Sequence, residues 1–152
     1  MRKALLIVSS VLLFVAATPK KSTASRTDWK DVEQAIGRAG YVLPGDVYKV
    51  SFPRSDLAVT LDGVAIKPAL ALGSWAAFKD IGSGHVMTMG DLVLLDSEVS
   101  PVIDALQKGG VEQSALHNHL LGESPDVMYV HFMGHGDASK LASALHDALA
   151  LT

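Results

Sequence analysis

Four of the six histidines fall between Ala115 and Asp137, in the run A-L-H-N-H-L-L-G-E-S-P-D-V-M-Y-V-H-F-M-G-H-G-D. Imidazole is the commonest metal ligand among side chains and titrates near neutral pH. His117, His119, His131 and His135 therefore point to metal or proton chemistry. In an extended chain alternate residues share a face, which puts His117 and His119 on one side. Beyond the break at Gly122, Ser124 and Pro125, Tyr129, His131 and Met133 share a face, and Met128, Val130 and Phe132 take the other. An antiparallel hairpin that pairs His117 with His131 and His119 with Tyr129 also sets Leu116 against Phe132 and Leu120 against Met128. A one-residue slip would set the imidazoles against the apolar side. Opposed Cβ atoms lie about 4.5–5.5 Å apart, so rings on both strands can reach one ion. Asn118 falls with Leu116 and Leu120 and needs polar partners there.

The expected ligands are His117, His119 and His131, with Glu123 as fourth ligand or general base; Asp126 is the other nearby carboxylate. Such an open nitrogen and oxygen shell suits zinc, iron, manganese or copper. His117-x-His119 followed by Glu123 is similar to the first metal motif of cupins, although helices among the later strands do not suit a pure β-barrel. His135, between two glycines, could be a ligand, a catalytic proton shuttle or substrate contact, or simply order the turn before a helix. Asp91 sits inside an apolar strand run, where it could accept a hydrogen bond from a ligating histidine or mark a bulge. His85 reads as a surface residue and His146 as a solvated helical one. Gly82-Ser83-Gly84-His85 has no following helix and no Lys-Ser/Thr pair, so it is a turn and not a phosphate loop. No Gly-x-Ser-x-Gly elbow is present to supply a serine nucleophile.

The elements that must carry these residues are legible. Thr27 to Ala39 has Trp29, Val32, Ile36 and Ala39 at helical spacing, with Thr27 or Asp28 to cap it and Gly40 to end it. Asp46 to Phe52 alternates as a strand that Pro53 closes. Leu57 to Lys67 is a hairpin about Asp62-Gly63, and Pro68 to Gly73 is loop. Ser74 to Lys79 and Val86 to Leu95 are two more strands. Ser100-Pro101 starts a helix that Gly109-Gly110 stops. Val111 to Leu120 is the first histidine strand, and Asp137 caps a last helix with Leu141, Leu145 and Leu149 on its apolar side. A strand–helix–strand connection implies parallel strands and a right-handed crossover. The expected class is α+β: two layers, a mostly antiparallel sheet with helices on one face, closing in a strand–helix–strand–strand–helix unit. The histidines then lie on the face away from the helices, lining an open groove or sitting beneath the N-terminal strands.

Met1-Arg2-Lys3, an apolar run from Ala4 to Ala17 and the small residues Ser22-Thr23-Ala24 have the form of a secretory signal peptide over residues 1–24, the alternative being an uncleaved membrane anchor, for which the apolar run is short. One domain, 25–152, follows. Removing the leader takes away four of the 13 Lys+Arg and none of the 16 Asp+Glu, leaving 9 against 16 and a formal charge of −7. An acidic surface of this kind is a poor partner for nucleic acid. With no cysteine, disulfides, thiolate chemistry and a bacterial lipoprotein anchor are all excluded. The expected product is exported to the periplasm or outside the cell, with no membrane attachment after cleavage.

Several consecutive motifs resemble the LppY/LpqO family of bacterial exported proteins. They are G-S-W-A-A-F at Gly73 to Phe78, M-G-D-L-V-L-L at Met89 to Leu95 and E-V-S-P-V at Glu98 to Val102. A-L-H-N-H-L-L at Ala115 to Leu121, E-S-P-D-V-M-Y-V-H at Glu123 to His131 and G-H-G-D at Gly134 to Asp137 complete the set. The resemblance covers essentially everything after the leader. It implies export and, in some members, a lipid anchor that this cysteine-free chain lacks. The family is a domain of unknown function, so it supplies neither substrate nor catalytic residue. Three functions fit the residues: an exported transition-metal protein that could be a metal-dependent hydrolase or lyase, a non-catalytic module for small-molecule or cell-envelope ligands, and a structural or partner-binding domain with pH-responsive histidines.

Overall fold

A computed structural model describes residues 27–152. The signal-peptide expectation for 1–24 lies outside the described residues. The element order is α1 (Trp29–Ile36), β1 (Tyr41–Leu43), β2 (Val47–Pro53), β3 (Thr60–Leu61), β4 (Val64–Ala65), β5 (Gly73–Gly82), β6 (His85–Leu95), α2 (Asp96–Lys108), β7 (Glu112–His117), β8 (Glu123–Ser124), β9 (Val127–Asp137) and α3 (Ala138–Leu149). Strands β1-β2-β5-β6-β9-β7 form one sheet in that order, and β4-β3-β8 form a small second one. Every strand pair in both sheets is antiparallel.

Alternation decides the layers. Tyr48, Val50, Ala76, Phe78, Leu92, Leu94, Val130 and Phe132 all occupy even positions and point to one side. There they pack with Val32 and Ile36 of α1, Val102 and Leu106 of α2, and Leu141 and Leu145 of α3. All three helices thus cover the same face, which gives the expected two-layer α+β architecture. Odd positions of the same strands form the opposite face. One end of that face is roofed by the segment from Arg54 to Leu72, where Val59, Ile66 and Leu72 bury Val93, Val127 and Tyr129.

The local signals mostly act as expected. Asp28 caps α1 through Lys30 N–H, and Asp137 caps α3 through Lys140 N–H at 2.9 Å. Asp62 and Gly63 take φ of 50° and 79° at the β3–β4 turn, the left-handed pair a two-residue hairpin requires.

Three expectations need correction. Helix α1 stops at Gly37, which adopts φ 76° and donates back to Glu33 O, so Gly40 is not its terminus. Gly40 is held elsewhere: its N–H donates to Tyr48 Oη at 2.6 Å, and that hydroxyl donates to Glu33. Helix α2 begins at Asp96 rather than Ser100. The Glu98 carboxylate reaches back to accept Leu95 N–H at 2.8 Å, which caps the helix a turn earlier, and Pro101 lies inside it. Strands β6 and β7, joined through α2, do run parallel, but β9 lies between them and pairs antiparallel with both. His146 is exposed on α3, as expected, and its Nδ1 also lies 3.3 Å from Ile36 O, which ties α3 to the end of α1.

Arg54 anchors the roofing segment. It is 6% exposed, and its guanidinium binds Val93 O, both oxygens of Glu98, and Asp56. Burial alone would lower its pKa, but the hydrogen bonds to Asp56 and Glu98 outweigh that and raise it further.

Candidate metal centre

Strands β7 and β9 carry the histidines, but in a register two residues from the expected one. His117 pairs with Tyr129, Leu116 with Val130 and Ala115 with His131. Ser114 is looped out between Gln113 and Ala115, the extra residue of a bulge that bends an edge strand. Strand β7 then ends at His117, leaving His119 just past it in the turn. A shift of two preserves face parity, so every imidazole stays on the side expected of it. His117 and His131 become diagonal neighbours, and aromatic side chains reach across that spacing.

The rings do converge. One donor atom from each of His117, His119 and His131 lies within 4.8 Å of the others. The His117 ring centroid is 4.8 Å from that of His119 and 4.8 Å from that of His131. Tyr129 fixes the arrangement from below. Its ring stacks on His119 at 3.6 Å and 14°, and its buried hydroxyl donates to Ala71 O at 2.7 Å. Burial pushes its pKa up, and Asp91 and Glu123 add to that. Asn118 is exposed rather than buried, with Nδ2 donating to Val127 O at 3.2 Å.

Asp91 faces His131 directly across β6 and β9, with Oδ2 3.6 Å from His131 Nε2. It is 8% exposed, and its Oδ1 has no hydrogen-bond partner. Desolvation pushes this carboxyl above the ordinary range, while His131, His119 and His117 pull it back down. A buried carboxylate oxygen without a donor is costly, and a bound cation would supply what it lacks. Gly90, the preceding residue, leaves room for the Phe132 ring and the Trp75 carbonyl, both of which crowd the place a Cβ would take.

The other expected site residues are not among the converging donors. Glu123 is buried in β8, where Oε1 accepts Val127 N–H at 3.5 Å. His135 is exposed on β9 opposite Met87, about 13 Å from His131 by strand rise. Asp126 is exposed in the turn, and His85 contacts Ser83 O at 3.2 Å through Nδ1. The sequence signal for Asp91 was a lone carboxylate in M-G-D-L-V-L-L; what the sequence withheld was that β6 and β9 are neighbours.

The donor set fits a borderline divalent ion. Metal–nitrogen bonds of about 2.05 Å at tetrahedral angles need nitrogens about 3.4 Å apart. The present spacing, up to 4.8 Å, must therefore close, and His119 is the ring best placed to move, since it is exposed and off the strand. Three imidazoles form the open shell of sites that also take a substrate or water, with the Asp91 carboxylate standing beside His131.

Residues 30–151 match the family described as Domain of Unknown Function (DUF1259). No curated protein and no solved structure matches the chain. No helix among the described residues is long and apolar enough to cross a membrane.

Proposed function

The chain belongs to the Domain of Unknown Function (DUF1259) family, and because that description assigns no chemistry, we propose from the geometry that it binds a divalent transition metal ion through His117, His119 and His131. Asp91 supplies the anionic oxygen beside them. The observation that carries this reading is the coincidence of three converging imidazoles with a buried carboxylate oxygen that nothing in the fold satisfies. When bound, such an ion supplies Lewis acidity toward a carbonyl or phosphoryl oxygen. Tyr129 holds the His119 ring, and Asp91 orients His131. Glu123 and His135 are not among the converging donors, and no role in the trio is assigned to them. Whether the family is that of the LppY/LpqO proteins rests on the motifs quoted above, and so does the metal-dependent hydrolase or lyase reading.

Metal content of the untagged, full-length protein is the direct test. After exposure to zinc, manganese, iron(II) and copper(II) in turn and desalting, plasma mass spectrometry is expected to find close to one ion per chain for at least one of them. His117→Ala should retain none. Wild-type protein that emerges free of every metal sinks the proposal.

A second reading, a non-catalytic ligand-binding module, draws support from a groove of about 510 Å³ beside the centre, lined by Lys49, Ser51, Lys67 and Trp75. Lys49 Nζ lies 4.4 Å from the Trp75 ring centroid, and Trp75 pairs with Asp91. A groove of this size suits a small molecule. Export is proposed from the leader form of residues 1–24. N-terminal sequencing of protein recovered from the periplasm or medium should begin near Ser25, whereas intact Met1 in the cytosolic fraction alone would contradict it.

A further inference from the structure

The open face of the sheet carries a second set of donors that the histidine trio does not use. Of five methionines in the chain, Met87, Met89 and Met133 share the odd-numbered face of β6 and β9. Met89 pairs directly with Met133, and Met87 with His135. Directly paired side chains have Cβ atoms about 4.5–5.5 Å apart, and successive pairs on one face follow the strand rise, so these four side chains form one compact patch. Met87 and Met89 are 36% and 52% exposed, although no core requires them there. Unbranched thioethers fill irregular core gaps well, and placing three of them on an open face forgoes that use.

Charge around the patch favours a cation. Glu112 pairs with Met133 on the β7 side and is exposed. Lys79 pairs with Met87 on the β5 side, but its ammonium donates to Gly45 O and is drawn away from the patch. Ala77 pairs with Met89 and adds no bulk above it.

We propose that Met89, Met133 and Met87, together with His135, form a binding site for a soft monovalent cation, copper(I), next to the trio but separate from it. Thioether sulfur selects copper(I) over zinc, manganese or magnesium, whereas imidazole and carboxylate suit the divalent ions. The open face therefore holds two chemically distinct sites in a row, the nitrogen and oxygen set at His131 and Asp91 and the sulfur-rich set beginning two residues along each strand. This assignment rests on the methionine positions and stands whether or not the trio binds metal.

The test uses silver(I), a redox-inert stand-in for copper(I), on the full chain carrying ¹³C-methyl methionine, in a His117→Ala/His131→Ala background that removes the trio. Titration should shift the methyl signals of Met87, Met89 and Met133 and leave Met128, on the helix-facing side of β9, unmoved. Met89→Leu/Met133→Leu keeps volume and hydrophobicity but removes both sulfurs. It should weaken silver(I) binding by more than about 100-fold, beyond the 10–100-fold that outer partners typically cost. Anaerobic copper(I) titration against a competing chelator should rank the variants the same way. The proposal is overturned if the leucine pair binds silver(I) as tightly as its parent, or if all methionine signals, Met128 included, move together. Zinc binding by the same leucine variant, with the trio restored, should be unchanged, so failure here and failure of the trio can be told apart.

Discussion

Arg54→Ala is expected to lower the unfolding free energy by about 3–5 kcal/mol, the range seen when one partner of a buried ion pair is removed. The guanidinium uses all five of its N–H donors. Nε and one Nη bind Asp56, each Nη binds one oxygen of Glu98, at 2.8 and 3.0 Å, and the remaining N–H donates to Val93 O at 2.8 Å. Truncation strands Glu98, whose side chain is 14% exposed, and leaves a strand carbonyl without its donor. Glu98 also caps α2 through Leu95 N–H, so the helix start loosens as well. For a domain of this size the loss corresponds to a fall in Tm of about 10–20 °C. Arg54→Lys should recover only part of it, because a point ammonium cannot make the forked contact to two carboxylates. Urea unfolding curves for the two variants check both statements. An unfolding free energy within about 1 kcal/mol (about 4 °C in Tm) of wild type for the alanine variant would show the network to be peripheral.

The same contact explains why part of the fold was legible in the sequence and part was not. Alternation along Val127 to Met133 and along Val86 to Leu95 places every side chain on its observed face, because face parity depends only on local geometry. Register is another matter. The hairpin pairing drawn from the sequence put His117 opposite His131, whereas the bulge at Ser114 and the end of β7 at His117 set it opposite Tyr129. The shift is an even number of residues, and for that reason the imidazoles still share one face. Ser100-Pro101 carries a genuine helix-start signal, yet the helix begins at Asp96, because Glu98 is held by an arginine 44 residues away. No window of local sequence contains that partner. Nor could the sequence show that β9 inserts between β6 and β7, and this insertion is what brings Asp91 up to His131. Asp91 is an odd carboxylate in a strand by sequence alone; the sheet order is what places it at the centre. Glu123, favoured because it follows H-N-H closely, instead packs into the small sheet and accepts Val127 N–H.

Asp91→Asn should pull stability and metal affinity in opposite directions, which separates a functional carboxylate from a structural one. In metal-free protein the Asp91 carboxyl is raised above its ordinary range by burial. Its contribution to stability is therefore present below the unfolded carboxyl pKa and is lost as pH rises through the folded value. At pH 7 the wild-type chain carries the cost of a buried anion with one oxygen unpartnered, and the neutral amide does not. With chelator present, the asparagine variant is expected to be more stable than wild type at pH 7 by about 1–2 kcal/mol, the scale of an unsatisfied buried group. That advantage should shrink as pH falls into the carboxyl range, where Asp91 becomes neutral too; comparing the two proteins at each pH cancels the histidines they share. Metal reverses the order. Losing the anionic oxygen should weaken zinc binding by about 10–100-fold, and since a ligand stabilises the folded chain by the logarithm of one plus the ratio of free ligand to Kd, zinc-loaded wild type should overtake the variant. Paired melts, with chelator and with zinc, give both halves of the result. If asparagine destabilises the metal-free chain and leaves zinc affinity intact, Asp91 is a structural carboxylate that merely lies near the histidines. The crossover is expected instead, because a fold that needed no cation would have no physical reason to bury an acidic oxygen among imidazoles and leave it without a donor.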